Sequence, residues 1–190
     1  MTLPGSRLQF DSSNFKSLGS DVLISPFVEI RYPELVEVGD HVAIDFGFVL
    51  TTAARIGSYI HIGPHVSVIG GKSARLILGD FCSIAAGVRI ICKGDEHLGE
   101  GIVGALVPTK YKDRQIGELI EVPRFAALGT NSIVMPGIKI GEGAVVGANS
   151  MLKIDAKPWT IYAGSPAKPI GSRPKDKILK FAEEIGESRE

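Results

Sequence analysis

The side chains best suited to move a proton at neutral pH are four histidines. They are His41, His61, His65 and His97. His97 is the first candidate for a catalytic base, because Asp95, Glu96 and Glu100 lie within three residues of it. A carboxylate near an imidazole can orient the ring and stabilise its protonated form. The competing interpretation is a solvated loop histidine among acids.

The elements that must position these side chains follow a six-residue period. From 122 to 152 an aliphatic residue recurs every six residues, at Val122, Leu128, Val134, Ile140, Val146 and Leu152. Glycine follows directly in three of these units, and a small or apolar residue stands four places later. Place five of one unit and place one of the next are two apart, so they point to the same side of a strand. The pattern predicts a coil of very short strands with glycine-assisted corners.

The same period runs through three earlier series. They are Leu18, Ile24, Ile30 and Val36; Val38, Ile44, Leu50, Ile56, Ile62 and Val68; and Leu78, Ile84 and Ile90. With three units per turn, residues 18 apart stack, which predicts an all-β parallel solenoid whose core grows coil by coil. The period breaks over 91–121 and then returns, so this segment is predicted to be a loop that leaves the coil.

The period stops after Asp155, and the tail is predicted to be different. We therefore divide the chain into a coil domain over 1–155, including the loop 91–121, and a tail over 156–190. From Lys175 an apolar stripe at helical spacing predicts a short C-terminal helix. We expect this helix to cover the open end of the coil, where strand edges would otherwise be exposed.

Composition excludes several classes of protein. Lys plus Arg equals Asp plus Glu, 21 each, which does not favour a nucleic-acid partner. No apolar run is long enough to span a membrane, and the first residues lack a signal-peptide pattern. Two cysteines form neither a disulfide framework nor a zinc-ribbon pattern. A cytoplasmic location and no metal are the default expectations.

The run 128–152 resembles the hexapeptide-repeat acyltransferases, and the likeness covers roughly residues 18–170. The closing segments, 146–155 and 163–168, are similar to those of the family's sugar O- and N-acetyltransferases. The segments 94–99 and 107–111 resemble a galactoside-acetyltransferase-like branch from surface-polysaccharide genes such as those for O-antigen and lipopolysaccharide. The resemblance implies a left-handed parallel β-helix, a homotrimer with active sites between subunits, and acetyl-CoA as the donor.

The resemblance also implies positions for the site residues. It places Ala127, Gly129, Gly147, Ala148 and Lys153 along the pantetheine path, and Pro166, Ala167 and Lys168 near the adenine end. Arg173 joins this set because seven basic residues stand against two acidic ones between 153 and 180, an excess that suits coenzyme A phosphates. The alternative is a solvated basic tail.

Acyl transfer from a thioester needs a base and a donor for the tetrahedral oxyanion. His97 is the first candidate for the base. His65, at place four of its unit and thus outward near a corner, is the second, although a surface role is slightly favoured for it. The backbone N–H of Gly129 is the candidate oxyanion donor. Asp95, Glu96 and Tyr111 are expected to contact the substrate.

The leading hypothesis is therefore an acetyl-CoA-dependent acetyltransferase that acts on a hydroxyl or amine of a sugar or nucleotide-linked sugar. One alternative is a γ-carbonic-anhydrase-like zinc hydratase, which needs three histidines meeting between subunits. His61 and His65 are four residues apart, which separates their directions on such a coil. The other alternative is a non-catalytic solenoid that serves as an assembly surface.

Overall fold

The computed structural model describes residues 11–187 and shows a left-handed parallel β-helix, which confirms the predicted fold. Each of the first five coils passes through three strands, and each strand pairs in parallel with the matching strand of the next coil. The cross-section is therefore triangular, with one sheet on each face. We call the faces sheet A, sheet B and sheet C, in the order in which each coil visits them.

The strands follow one another coil by coil along the chain. They are β1 (Ser17–Leu18), β2 (Val22–Ile24) and β3 (Glu29–Ile30); β4 (Val36–Val38), β5 (Val42–Ile44) and β6 (Val49–Leu50); β7 (Ala53–Ile56), β8 (Ile60–Ile62) and β9 (Ser67–Ile69); β10 (Arg75–Leu78), β11 (Ser83–Ile84) and β12 (Arg89–Ile91); the loop strands β13 (Gly94–Asp95) and β14 (Gln115–Ile116); β15 (Leu119–Val122), β16 (Ala127–Leu128) and β17 (Ile133–Val134); β18 (Val145–Val146) and β19 (Met151–Leu152); β20 (Thr160–Ala163) and β21 (Lys168–Ser172). Helix α1 spans Asp176–Glu187. Short 3₁₀ turns occupy Ser12–Asn14, Pro33–Leu35 and Thr109–Tyr111.

Stacked residues are 18 apart where the period is unbroken, as predicted. Leu128 pairs with Val146, and Val134 pairs with Leu152. Elsewhere the separation of stacked residues exceeds 18 by the number of inserted residues. Ile62 pairs with Ile84, 22 residues later, because four extra residues form the turn after Gly70. Insertions leave the register of the core unchanged because they leave the coil at its corners.

The predicted inward column forms the core. The place-one residues from Val38 to Val68 and from Leu78 to Ile90 are all at most 4% exposed, as are the place-five residues Cys82 and Val88. One assignment was wrong. Val36 is not the fourth member of the first series, because it pairs with Ala54, which is a place-five residue in β7 of the third coil. The turn at Pro33–Leu35 adds two residues and shifts the phase.

The segment predicted to leave the coil does so at the corner between sheets C and A. β12 is the last strand before the loop and β15 is the first after it. The loop has its own antiparallel pair, β13 with β14. Its interior anchor is Asp113, which is 3% exposed and whose Oδ2 accepts a hydrogen bond from the backbone N–H of His97 at 2.9 Å.

The coil continues past Asp155, because β20 pairs in parallel with β18 and Tyr162 stacks on Val146. Tyr162 lies 16 residues after Val146, two fewer than the regular 18, so a strict period does not predict this strand. β21 then turns back and pairs antiparallel with β20 at the end of sheet B. No helix among residues 11–187 is long and apolar enough to cross a membrane.

Helix α1 forms at the predicted place but does not cover the end of the coil, so that expectation was wrong. Its residues Ile178, Ala182 and Ile185 face Phe81 and Phe125 on the side of the coil. These two phenylalanines belong to a column of rings at the corner between sheets A and B, with centroids 4.7–5.9 Å apart. The column offers α1 an apolar ridge, and the reversed strand β21 delivers the chain to it. The column consists of His41, Tyr59, Phe81, Phe125 and Trp159.

Candidate active site

The outer face of sheet B carries one column of side chains, built by the strand register. Ser83 lies directly opposite His61 on one side and Ala127 on the other. Neighbouring strands lie about 4.8 Å apart, so these side chains are nearest neighbours on the same face. The full column reads Leu23, Ala43, His61, Ser83, Ala127, Val145 and Ile161.

His61 is held by a carboxylate. Its Nε2 lies 2.9 Å from Oδ2 of Asp45, which follows β5 at the sheet B–C corner. When Asp45 accepts the Nε2–H of the neutral ring, the Nδ1 atom keeps a lone pair and is free to accept a proton. The sequence predicted no role for Ser83 or Asp45, and His61 was only one of four candidate histidines and not the predicted base. Their separations in the chain include a four-residue insertion, so only the register shows that they are neighbours.

A trough on the first coils adjoins this column. It has a volume of about 350 Å³ and an apolar floor of Leu23, Ala43 and Ile60. The polar groups at its rim are His61, together with His41 and Asp21, whose side chains are 2.8 Å apart. None of the lining residues is a lysine or arginine, so the trough carries negative charge when both histidines are neutral.

Six of the nine predicted cofactor residues gather at the corner between sheets B and C in the last coils. The Gly129 N–H donates to Val146 O at 2.7 Å, and the Gly147 N–H donates to Tyr162 O at 2.7 Å. Ala167 is tied to the same corner by a 2.8 Å hydrogen bond from its N–H to Met151 O. The six are Gly129, Gly147, Ala148, Pro166, Ala167 and Lys168.

The structure does not bring the other three to this corner. Ala127 faces outward from sheet B. Lys153 follows β19, at the far edge of sheet C. The Arg173 guanidinium is at the sheet A–B corner, where Nη1 donates to Phe125 O at 2.6 Å and Gly143 O at 3.1 Å. Burial lowers the pKa of Arg173 from its usual value.

The prediction that the backbone N–H of Gly129 stabilises the oxyanion was wrong. The Gly129 N–H already donates to Val146 O within the stack of coils, so it has no free hydrogen for a developing oxyanion. The N–H groups of paired strand residues are used to hold the next coil. A free N–H at this corner would therefore have to belong to a residue without such a partner.

The predicted catalytic and substrate residues of the loop lie together on the loop. Asp95 accepts hydrogen bonds from Gln115 Nε2 at 3.1 Å and from the Gly104 N–H at 3.3 Å. Glu96 lies 3.6 Å from the Arg114 guanidinium. His97 and Tyr111 are exposed. The His97 ring has no hydrogen-bond partner within the described part of the chain.

His65, the second predicted base, is at the sheet B–C corner in the third coil. Its ring packs edge-on against Phe46 with centroids 4.7 Å apart. Its carbonyl oxygen accepts a hydrogen bond from Arg89 Nη1 at 2.5 Å. The ring is exposed, but Phe46 covers one of its sides and no carboxylate contacts it among residues 11–187.

Within one chain, the loop and the sheet B column lie on opposite sides of the prism. The loop leaves at the sheet C–A corner, and that corner faces away from sheet B in a triangular cross-section. No hydrogen bond or ring contact joins His97 to Ser83 within residues 11–187.

The remaining nucleophile candidates are buried. Cys82 and Cys92 are at most 2% exposed, and burial raises the pKa of each thiol to about 12. Neither is ready to act as a thiolate at neutral pH. Residues 11–187 contain no group of three or more His, Cys, Asp and Glu side chains arranged to hold a metal ion.

Comparison with known proteins gives consistent relatives, although no family model matches the chain. The sequence is 31% identical over 178 residues to dTDP-4-amino-4,6-dideoxy-D-glucose acyltransferase of Escherichia coli, covering 92% of this chain and 90% of that one. The structure is similar to AntD, an N-acyltransferase from Bacillus cereus solved with dTDP and 3-hydroxybutyryl-CoA. The TM-score is 0.87 and the identity 32%, over 93% of this chain and 92% of AntD. A hexapeptide-repeat acetyltransferase from Vibrio cholerae shares the fold at 21% identity and a TM-score of 0.53.

The fold and these relatives define the class: the chain belongs to the hexapeptide-repeat acyltransferases. Within them it belongs to the branch of the sugar acyltransferases, and it is an enzyme of acyl transfer. The family predicted from the hexapeptide run is confirmed. The zinc-hydratase and assembly-surface alternatives find no support among the relatives.

Proposed function

We propose that this protein transfers an acyl group from a coenzyme A thioester to the amine of a dTDP-linked 4-amino-4,6-dideoxy sugar. The observation that carries the proposal is the near full-length similarity to two enzymes. One is named for that acceptor, and the other was solved with it and coenzyme A. The sequence left the choice between hydroxyl and amine open, and these relatives favour the amine. We take acetyl-CoA as the donor and a cytoplasmic role in surface-polysaccharide synthesis as part of the proposal.

The proposed active site lies between two subunits of a homotrimer. The supporting geometry is the separation described above: the loop with Asp95, Glu96, His97 and Tyr111 faces away from sheet B of its own chain. A threefold arrangement lets the loop of one copy reach sheet B of the next. The loop also exposes apolar side chains that a partner would cover, including Leu106 at 99% and Leu98 at 73%.

Coenzyme A is proposed to lie along the sheet B–C corner of the last coils. The small residues Gly147 and Ala148 allow the pantetheine arm to approach the backbone, and Lys168 supplies a positive charge for a phosphate. The thioester end then points toward Ser83 in the middle of sheet B. Three of the solved AntD structures carry one replaced serine and two carry one replaced aspartate. We propose Ser83 and Asp95 as the corresponding residues here.

The test is a thiol-release assay with acetyl-CoA and dTDP-4-amino-4,6-dideoxyglucose. The control acceptor is the same dTDP-sugar with a hydroxyl at C4. We expect turnover with the amine and at least about a hundredfold less with the hydroxyl, because an acceptor site for an amine is not matched to the alcohol. Turnover with the hydroxyl alone would refute N-acylation, and equal turnover with both would refute selectivity for the amine. A parallel assay with 3-hydroxybutyryl-CoA identifies the acyl chain.

A further inference from the structure

We infer that His61, oriented by Asp45, is the base that accepts a proton from the acceptor amine. The amine would react next to Ser83. This inference rests on the proposed function and adds a base to it. It replaces His97 and His65 as the predicted base.

The first support is position. His61 is the nearest neighbour of Ser83 on the outer face of sheet B, in direct strand register. The Nε2 atom of His61 is occupied by Asp45 at 2.9 Å, which leaves Nδ1 as the free nitrogen. A general base must lie within hydrogen-bond reach of the proton that it takes, or one water away. No other histidine among the described residues lies beside Ser83 in the strand register.

The second support is the surroundings of the pair. His61 lines the trough on the first coils, whose floor is apolar and whose rim has the Asp21 carboxylate and no lysine or arginine. Asp45 lines the adjoining depression. A protonated amino sugar fits such a trough, whereas a diphosphate does not. Ala43, between Leu23 and His61 in the column, leaves the space in which the sugar ring would lie.

The bound ammonium first releases one proton to solvent. The neutral amine nitrogen then attacks the thioester carbonyl, the C–N bond forms, and the C–S bond breaks. One proton passes from nitrogen to Nδ1 of His61, where the Asp45 carboxylate stabilises the imidazolium. That proton then passes to the departing thiolate, so the products are an amide and free coenzyme A.

The chain supplies a matched control for this assignment. His41 pairs with Asp21 at 2.8 Å, as His61 pairs with Asp45 at 2.9 Å. Both imidazoles are partly exposed, and both line the same trough. Only His61 adjoins Ser83. His41 instead stacks on Tyr59 at the sheet A–B corner.

The experiment compares His61→Gln, His41→Gln and His97→Ala in the full-length protein. We expect His61→Gln to lower kcat by about 10²- to 10⁴-fold with little change in KM for acetyl-CoA, the range for loss of a general base. His41→Gln should keep kcat within about threefold of the unmodified protein and act only on KM for the amino sugar, because His41 lines the trough without adjoining Ser83. Added imidazole should restore turnover to His61→Gly and should leave the rate of His41→Gly unchanged. Melting temperatures of all variants are measured beside the rates.

Asp45 is a positioning residue, so its test needs a readout that a purely structural role would not move. Asp45→Asn should lower kcat about 10- to 100-fold, the cost of a misplaced catalytic group, while the melting temperature and acetyl-CoA affinity hold. Asp45→Glu should recover part of the rate.

Two results overturn the inference. One is equal kcat in the His61→Gln and His41→Gln variants while the unmodified protein turns over, which leaves the proposed function standing. The other is a large loss only in His97→Ala, which returns the role to the loop. No turnover by the unmodified protein with any amino sugar would remove the proposed function as well.

Discussion

The Nη1 atom of Arg173 donates a hydrogen bond of 2.6 Å to the carbonyl oxygen of Phe125, 48 residues earlier in the chain. The backbone N–H of Arg173 also donates to Trp159 O at 2.8 Å. Arg173 was predicted to bind a coenzyme A phosphate, and that role stays a prediction. What its contacts show is a fastening point for the tail, since α1 begins three residues later.

Replacing Arg173 by alanine should loosen α1. Hydrogen bonds from a charged donor contribute about 1.5–3 kcal/mol, so we expect a loss of this order in unfolding free energy. Hydrogen exchange of the α1 amides should also become faster. Urea unfolding and exchange measurements check both. Lys177→Ala, at an exposed position on α1, is the control and should change neither. A variant with unchanged exchange in α1 would show that Arg173 does not fasten the tail.

The buried aliphatic residues at place one stabilise the coil. Leu128 is 1% exposed and lies between Ile84 and Val146. Leu128→Ala should cost about 2–5 kcal/mol, because it removes buried methyl groups and leaves a cavity. Thr130→Ala, two residues later on the exposed corner, should stay within about 0.5 kcal/mol of the unmodified protein. Similar losses in the two variants would contradict the register.

Gly129 is needed for close packing of coils. A Cβ built there would lie 2.7 Å from Ala148 N and 2.8 Å from Val146 O, both of which are backbone atoms. Gly129→Ala should therefore lower the melting temperature by several degrees, on the order of 1–3 kcal/mol of overpacking. Gly171→Ala is the matched control, because a Cβ there meets no atom within 4 Å. Differential scanning calorimetry compares the two.

The two thiols should be inert in the folded protein. Burial raises both pKa values from 9.0 to about 12. A thiol reagent at pH 8 should therefore label neither cysteine until urea unfolds the chain. The same shifts bear on stability: the unfolded thiols ionise near pH 9 while the folded ones remain protonated. This contribution is thus complete below pH 9 and declines as pH rises from about 9 toward 12. Fast labelling in native buffer would contradict the buried placement.

The cofactor corner is tested by adding charge and bulk at Ala148. This residue is exposed beside Gly147, where coenzyme A is proposed to lie. Ala148→Glu should raise KM for acetyl-CoA at least about tenfold by blocking the path and repelling phosphate. Ser17→Glu, on the outer face of sheet A in the first coil, should leave KM unchanged. An unaltered KM in Ala148→Glu would move the cofactor elsewhere.

The sequence determined the coil. A side-chain period of six is local information: each aliphatic residue at place one and each small residue at place five is inward because the strand alternates and the corner turns. The hexapeptide run from 128 to 152 therefore predicted the fold, the core and the family. The helix over Asp176–Glu187 was predictable for the same reason, since its apolar stripe repeats within one element.

The site depended on the tertiary structure. His61, Ser83 and Ala127 are separated by 22 and 44 residues, and only the register of sheet B makes them neighbours. The insertions between them, four residues after Gly70 and the long loop, carry no signal of the register that they preserve. The position of α1 was likewise set by long-range contacts, because the turn into β21 and the Arg173 hydrogen bonds bring it to the aromatic corner. Periodicity specifies whether a side chain points into or out of the coil. The neighbours of that side chain depend on how many residues are inserted at each corner. That number becomes apparent only when the coils stack.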